Sequence, residues 1–489
     1  MMPTNAEYLR FLPEIILTLT GLLIMFLEAI RPSDAGPSSR PAPGASRLFA
    51  PLSIVGLAAA LVAAATADPG TAFHDMLIVD TFGTFFRVLV IGIGILVVFM
   101  SSEYLTRENH PGGEFYALLI FSVMGQSVMV TANELIMIFI GLEISSIASY
   151  ILAGYLRDDI RNNESALKYF LLGSFATGFL LYGVAWIYGI TGVTNLELVR
   201  HAIETPGFDS FALAGVAAAL IFVGLGFKIS AAPFQVWAPD VYQGAPAPVS
   251  AFLSVGPKAA AFAILLRVFL VAFGPISDRW TPFVWSCALA TMIVGNFAAL
   301  KQTNIKRMLA YSSIAHAGYV LVAVTAHSDT GAAAAMFYLA AYALTNIGAF
   351  AVVTYFARKG EQYVAIDDFA GLSQRQPMMA AMMTIFLLSL IGVPLTGGFF
   401  GKFYIFKSAL DANLIWLTIL GLLNSAVAAY YYLHILVVMY MKEPGESVEN
   451  LPPVGFGLKI AVYASAVGTL VLGIFPSFVL DYASRTVLK

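Results

Sequence analysis

Apolar runs of roughly 20 residues, separated by short joints of polar, proline or glycine residues, recur along the whole chain. That length is what a helix needs to cross a hydrocarbon core of about 30 Å. The runs fall at 11–30, 48–67, 79–102, 115–131, 134–154, 164–190, 211–236, 247–274, 281–300, 308–326, 331–357, 377–409, 413–441 and 457–480. They predict fourteen membrane-spanning helices. The narrowest joint lies between the fourth and fifth, where only Ala132 and Asn133 intervene. Residues Met1 to Phe11 lack the basic n-region of a cleaved signal, so the first run is expected to remain as a span.

Composition agrees with the pattern. Of 489 residues, 59% are hydrophobic and 11% charged, against about 25% charged in ordinary soluble domains. A soluble enzyme and a disordered chain are both excluded. A net charge of −3 offers no basic field for nucleic acid. The single cysteine, Cys287, rules out an internal disulfide and cysteine-ligated zinc or iron–sulfur sites. There is no Walker A sequence and no dinucleotide-binding glycine fingerprint. Two histidines within spans, His316 and His434, make a poor haem site. An ion gradient or a partner must supply the driving energy.

Lys and Arg orient the chain, because loops on the cytoplasmic side are enriched in them. With both termini outside, the odd-numbered loops hold thirteen: Arg31, Arg40, Arg47, Arg107, Arg157, Arg161, Lys301, Lys306, Arg307, Arg358, Lys359, Arg375 and Lys442. The opposite side holds five, Arg10, Arg200, Arg279, Arg485 and Lys489. Eight remain inside spans. Arg87, Arg267, Lys407 and Lys459 lie near run ends and are expected to snorkel to the interface. Lys168, Lys228, Lys258 and Lys402 lie further in, as does Glu143 in the fifth run.

Four lysines facing lipid would cost on the order of 10 kcal/mol, at about 2.5–3.5 kcal/mol each, so they must face protein or water. Buried ion pairs that fix helix packing are one reading, but one equally deep carboxylate cannot pair with four ammonium groups. Proton relay is the other. Burial disfavours an ammonium and a neighbouring carboxylate favours it, so Glu143 can switch a nearby lysine between holding and releasing its proton.

Prolines interrupt two of the lysine-bearing runs. The seventh reads Lys228-Ile229-Ser230-Ala231-Ala232-Pro233, and the twelfth reads Pro394-Leu395-Thr396-Gly397-Gly398-Phe399-Phe400-Gly401-Lys402. Proline removes a backbone donor and clashes with the preceding turn. Broken helices in matching places of two halves mark a transporter repeat with a midplane ion path. The spacing predicts one repeat over helices four to eight and another over nine to thirteen, and an odd helix count makes the two inverted. Ordinary proline kinks in a large bundle are the alternative. His316, in the tenth run, suits either a relay bridging the halves or a satisfied core histidine.

Three long runs then carry a resemblance. Lys228 to Pro246, ending Pro239-Asp240-Val241-Tyr242-Gln243-Gly244-Ala245-Pro246, resembles the signature of the antiporter-like membrane subunits of respiratory complex I, its N branch in particular. Asn304 to Tyr319 and Pro394 to Lys402 are similar to further motifs of that family. The likeness covers the whole chain. It implies a proton-translocating subunit of NADH:quinone oxidoreductase in a bacterial inner membrane. By motif position, Glu143 and Lys228 match the family's fifth-helix glutamate and seventh-helix lysine. Lys258 matches its eighth-helix connecting lysine, Lys402 its twelfth-helix lysine and Lys168 a further sixth-helix lysine. A lysine at 402 argues against the M branch. Gln235 departs from the family, standing where many relatives carry histidine.

The expected architecture is therefore an all-α polytopic membrane protein of fourteen helices. Residues 1–114 form a three-helix segment, 115–275 and 276–442 two inverted five-helix repeats, and 443–489 the last helix. The expected relay residues are Glu143, Lys168, Lys228, Lys258, His316 and Lys402, with no metal and no cofactor in this chain. The resemblance implies NADH, FMN, iron–sulfur clusters and quinone in partner subunits, and other antiporter-like subunits as neighbours. The rivals are an Mrp-type cation/proton antiporter or membrane-bound hydrogenase subunit, and a purely structural membrane subunit.

Overall fold

The computed structural model describes residues 3–30, 46–110, 112–449 and 451–486. Arg31, Arg40 and Lys489, counted above as orienting charges, lie outside the described residues, as does the side chain of Arg47.

Among the described residues, thirteen helices are long and apolar enough to cross a membrane, and a fourteenth crossing is made in two pieces. The first seven are Leu12–Ala29, Leu48–Ala65, Thr81–Glu108, Gly113–Thr131, Leu135–Ala153, Ile160–Thr191 and Phe211–Ile229. The next four are Ala247–Ala272, Gly274–Ala299, Ile305–Thr325 and Asp329–Phe356. The twelfth crossing is Pro377–Ile391 followed by Gly397–Asp411. The last two are Ile415–Met441 and Phe456–Ile474. These near-uniformly apolar helices carry no strong polar face, as expected of helices buried in protein or lipid all round. The eighth, tenth and eleventh are almost wholly enclosed, and the first, sixth and thirteenth leave most of their surface outside.

The narrow joint between the fourth and fifth spans is a true turn. Ala132 leaves the helical region, and the Asn133 N–H donates to the Met76 carbonyl at 2.9 Å. This clips the turn to a two-stranded hairpin, Gly70–Ala72 paired antiparallel with Leu77–Val79.

The backbone breaks are repaired by side chains, as a non-aqueous interior requires. The seventh span ends at Ser230, whose φ of 60° is left-handed. The Trp237 indole N–H then donates to the Phe227 carbonyl at 2.9 Å, and the Thr291 hydroxyl accepts the Ala232 N–H at 2.8 Å. Pro257 lies inside the eighth span and cannot donate to Leu253. The Tyr242 hydroxyl takes that place, donating to the Leu253 carbonyl at 3.1 Å.

Two contact patterns recur along the chain. An isolated antiparallel bridge joins Glu134 to Asn195, at the start of the fifth span and the exit of the sixth. Another joins Asn304 to Ala365, at the start of the tenth and the exit of the eleventh, with both partners 170 residues further on. Gly125 in the fourth span packs so tightly that a Cβ would sit 2.6 Å from the Ser145 nitrogen. At the same 170-residue spacing, a Cβ on Gly295 would sit 2.4 Å from the Ala315 nitrogen. The neighbour pairs agree: the fourth span packs on the fifth and eighth, and the ninth on the tenth and thirteenth.

Three basic residues sit where sequence position did not put them. Arg87, expected to snorkel, is fully buried and holds Glu14 through two hydrogen bonds of 3.0 and 2.9 Å. Arg267, also expected at the interface, grips Asp80 through two of 2.9 and 2.8 Å. Lys306, expected in a loop, is buried against Glu361 at 2.5 Å. In each case a carboxylate distant in sequence removes the reason to reach for water.

Candidate functional site

A row of buried polar groups runs through the middle of the bundle. Lys228 occupies the last turn before the break in the seventh span and is 5% exposed. Its ammonium lies 4.9 Å from the Tyr150 ring centre and 5.2 Å from that of Tyr169, and it donates to the Tyr150 hydroxyl at 3.3 Å. Aromatic faces hold a cation without supplying a counter-charge. Glu143 stands two turns before Tyr150 on the same face of the fifth span; it makes no ion-pair contact with this ammonium, and its Oε1 is buried with no hydrogen-bond partner. The fifth span thus brings a carboxylate with an unused oxygen near the lysine.

Lys258 follows Pro257 in the eighth span and is 3% exposed. It donates to the Ser313 hydroxyl at 2.5 Å and to the Ser313 carbonyl at 3.2 Å. Beside it is a small cavity with about 10 Å³ of space for a water centre, lined by Lys258, Ser313, His316, Tyr338 and Tyr342 among others. That is about the room one water needs. His316 is fixed at both ring nitrogens, Nδ1 to the Tyr338 hydroxyl at 2.6 Å and Nε2 to the Tyr432 hydroxyl at 3.2 Å. Tyr432 also bonds the Ser312 hydroxyl.

Lys402 reaches back across the twelfth-span break. Its ammonium donates to the carbonyls of Leu390 and Ile391 at 2.9 and 2.8 Å and to the Ser425 hydroxyl at 2.8 Å. The end of Pro377–Ile391 presents carbonyls with no intrahelical donor and the negative end of the helix dipole. A lysine there satisfies both. The Ser389 hydroxyl accepts the Gly398 N–H at 3.1 Å on the other side of the gap.

Lys168 is placed differently from the other lysines. It is not deep in the bundle but 42% exposed, paired with Glu164 at 2.6 Å and Asp240 at 2.8 Å. Asp240 also receives Arg307 at 2.7 Å. These groups line an open groove of about 200 Å³ on the arginine-rich side, with Arg161, Asn304 and Glu361. Burial pushes the Asp240 carboxyl up, but hydrogen bonds from Lys168 and Arg307 outweigh it and hold the group below the usual carboxylate range. The expectation of depth fails because Lys168 stands only two turns from the start of a 32-residue helix.

The structure therefore brings Lys258, His316 and the water-sized cavity together, with Lys228 and Glu143 at one end and Lys402 at the other. Sequence reasoning missed Ser313, Tyr338, Tyr432 and Ser425, whose hydroxyls complete the row. Their signal is weak: serines and tyrosines at helical spacing look like ordinary packing. Gln235 is half-buried with its Oε1 unpartnered, and a glutamine there has no proton to relay at physiological pH.

Residues 132–428 match the family model described as "NADH:quinone oxidoreductase/Mrp antiporter, TM". "NADH-quinone oxidoreductase subunit N 1" of Solibacter usitatus is 63% identical over 482 residues, covering 98% of this chain and 97% of that protein. The chain belongs to this family. Subunit N of Trichlorobacter lovleyi is 44% identical over 97% of this chain and 96% of its own. Among solved structures, a chain of respiratory complex I from Thermus thermophilus superposes with a TM-score of 0.80 at 34% identity, covering 96% of this chain and 99% of that one. A chain of the Mrp complex from Dietzia shares the fold, with a TM-score of 0.82 at 20% identity over 98% of this chain and 96% of its own. The all-α, multi-pass membrane architecture inferred from the apolar runs agrees with the family model and with the fold of the complex I chain.

Proposed function

We propose that this chain moves protons across a bacterial inner membrane as the subunit N of an NADH:quinone oxidoreductase. The observation that carries it is the burial of three lysines, Lys228, Lys258 and Lys402, without an ion-pair contact to any described carboxylate. Buried cations serving only as packing would be matched by carboxylate partners, as Arg87, Arg267 and Lys306 are. Groups that must lose and regain a proton are better left to hydroxyls, rings and carbonyls.

In this reading the arginine-rich side faces the cytoplasm and both termini lie on the periplasmic side. The groove around Lys168 and Asp240 is the proton mouth. Redox chemistry stays in partner subunits, which hold NADH, FMN, iron–sulfur clusters and quinone; it reaches this chain as a change of field at Glu143. With Glu143 charged, the Lys228 ammonium is favoured; with that charge removed, burial drives the proton onward. Lys258 passes a proton through the Ser313 hydroxyl and the water-sized cavity to His316, whose two ring nitrogens can take it on one side and release it on the other. Lys402 is the last buried acceptor. Residues 115–275 and 276–442 act as two inverted five-helix units, a reading supported by the 170-residue recurrence of bridges and glycine contacts.

The test is Lys228→Ala and Glu143→Ala in the intact complex, assayed in inverted membrane vesicles for protons moved per NADH oxidised. Both are expected to assemble and to lower that ratio. A parental ratio in both variants would refute the relay and leave a structural subunit.

A further inference from the structure

Between His316 and Lys402 stands one aromatic ring. Tyr319 is fully buried, edge-on to the His316 imidazole with centroids 5.6 Å apart and planes at 89°. The Lys402 ammonium lies over the same ring, 5.0 Å from its centre. Phe406, one turn beyond Lys402, packs against the ring with centroids 6.0 Å apart. The Tyr319 hydroxyl accepts from the side-chain amide of Asn296 at 3.2 Å. The Asn296 Oδ1 in turn accepts the Tyr431 hydroxyl at 3.0 Å. Asn296 is also fully buried, with both ends of its amide engaged.

We propose that Tyr319 is a partition between His316 and Lys402, and that Asn296 is the positioning residue that holds it in place. An amide fixes the direction of the hydroxyls on either side of it, but it has no proton to pass on at physiological pH. The bridge from Tyr431 through Asn296 to Tyr319 therefore orients without conducting. A proton leaving His316 must go round the ring or wait for it to turn, and turning breaks the bond to Asn296. A proton already on Lys402 meets the same obstacle on the way back. While the ring is held, His316 and Lys402 are kept from exchanging in either direction, so a proton that has reached Lys402 is retained; once the ring is freed, it can slip back. Asn296 lies 170 residues after Gln126, a buried amide in the fourth span that donates to Ser122 at 3.2 Å and Ser145 at 3.3 Å. An orienting amide thus occupies the same place in both five-helix units, and a tyrosine is its partner in the second.

This inference rests on the relay reading, so Lys402→Met accompanies its test as a control. Asn296→Leu, Tyr319→Phe, their double variant and Tyr319→Leu are placed in the intact complex and assayed for protons moved per NADH oxidised. NADH oxidation is expected to stay within about twofold of the parent. The proton ratio should fall in Tyr319→Leu about as far as in Lys402→Met. It should fall less in Asn296→Leu and Tyr319→Phe, with the double variant no worse than Tyr319→Phe alone, because both remove the bond between Asn296 and Tyr319, while Tyr319→Phe also removes the hydroxyl that faces Ser425, the serine bonded to Lys402. A purely structural role would lower the yield of complex and leave the ratio alone. Parental ratios in Asn296→Leu and Tyr319→Phe, with Lys402→Met impaired, would overturn the partition whether or not Tyr319→Leu assembles. A parental ratio in Lys402→Met would instead overturn the relay.

Discussion

Arg87 and Glu14 offer the sharpest test of the division between structural and working charges. The pair joins the first and third spans by two hydrogen bonds of 3.0 and 2.9 Å, and the Ser127 hydroxyl of the fourth span adds a third to Glu14 at 2.5 Å. Both side chains are at most 1% exposed. Replacing Arg87 with Met leaves a carboxylate in an apolar bundle with one hydroxyl for company. Breaking a buried pair on one side costs about 3–5 kcal/mol, a large share of the roughly 5–15 kcal/mol that holds a domain together. Replacing both, Arg87→Met with Glu14→Leu, removes the stranded charge along with its partner and is expected to be near neutral. The assay is thermal melting of the detergent-purified complex, arranged as a double-mutant cycle, together with protons moved per NADH oxidised. Each single variant should melt well below the parent, the double should recover most of the loss, and whatever assembles should pump at the parental ratio. Singles that melt like the parent, or a double variant as unstable as the sum of its singles, would refute the reasoning.

Other expectations follow from single contacts. Lys402→Arg keeps a permanent cation for the Leu390 and Ile391 carbonyls but does not release its proton, so it should assemble and melt like the parent while its proton ratio falls. Lys402→Met should still assemble, but it should melt below the parent, because the Leu390 and Ile391 carbonyls lose their donor, and its proton ratio should fall as well. Tyr242→Phe strands the Leu253 carbonyl freed by Pro257 and should cost about 1–3 kcal/mol in melting, without changing the proton ratio of the assembled complex. Asp240 has a depressed carboxyl, so its stabilising effect is present above about pH 4, the usual carboxylate range, and is lost as pH falls through its folded value. Asp240→Asn should therefore flatten the acid limb of the melting-temperature profile, and an unchanged limb would count against the Lys168–Asp240–Arg307 cluster.

The spans were legible in the sequence because lipid imposes one rule on every residue they contain. Long apolar runs place helices to within a few residues, and even the two-residue joint at Ala132 and Asn133 is a real turn. The breaks at Ser230 and Pro394 were legible for the same reason, since proline and the residues around it fix the backbone locally. Partnership was not legible. Arg87 and Arg267 sit near run ends, and position alone favours the interface. Only the fold brings Glu14 from 73 residues away, and Asp80 from 187, close enough to hold them inside. Lys168 failed in the opposite direction: it stands near the start of the run at 164–190, and only the fold brings Asp240 from 72 residues away to hold it at the open end of the helix. The serines and tyrosines around His316 carry no signal in a single sequence, because a hydroxyl matters only for what it faces.

The 170-residue spacing also says why the two halves are not equivalent. Residue 143 in the fifth span is glutamate, and its counterpart in the tenth is Ser313. The first half therefore sets a carboxylate with an unpartnered oxygen near Lys228. The second sets a hydroxyl against Lys258 and helix-end carbonyls against Lys402. A carboxylate can change its charge and a hydroxyl or carbonyl cannot, so on the relay reading an outside event can act directly only on the first half. Lys258, His316 and Lys402 respond to the proton that arrives. Ser313→Glu would give the second half a charge of its own beside Lys258. It should hold that ammonium in its protonated state and lower the proton ratio, while Ser313→Thr, which keeps the hydroxyl, should leave the ratio near the parent's. Equal ratios in the two variants would mean that the asymmetry between Glu143 and Ser313 carries no function.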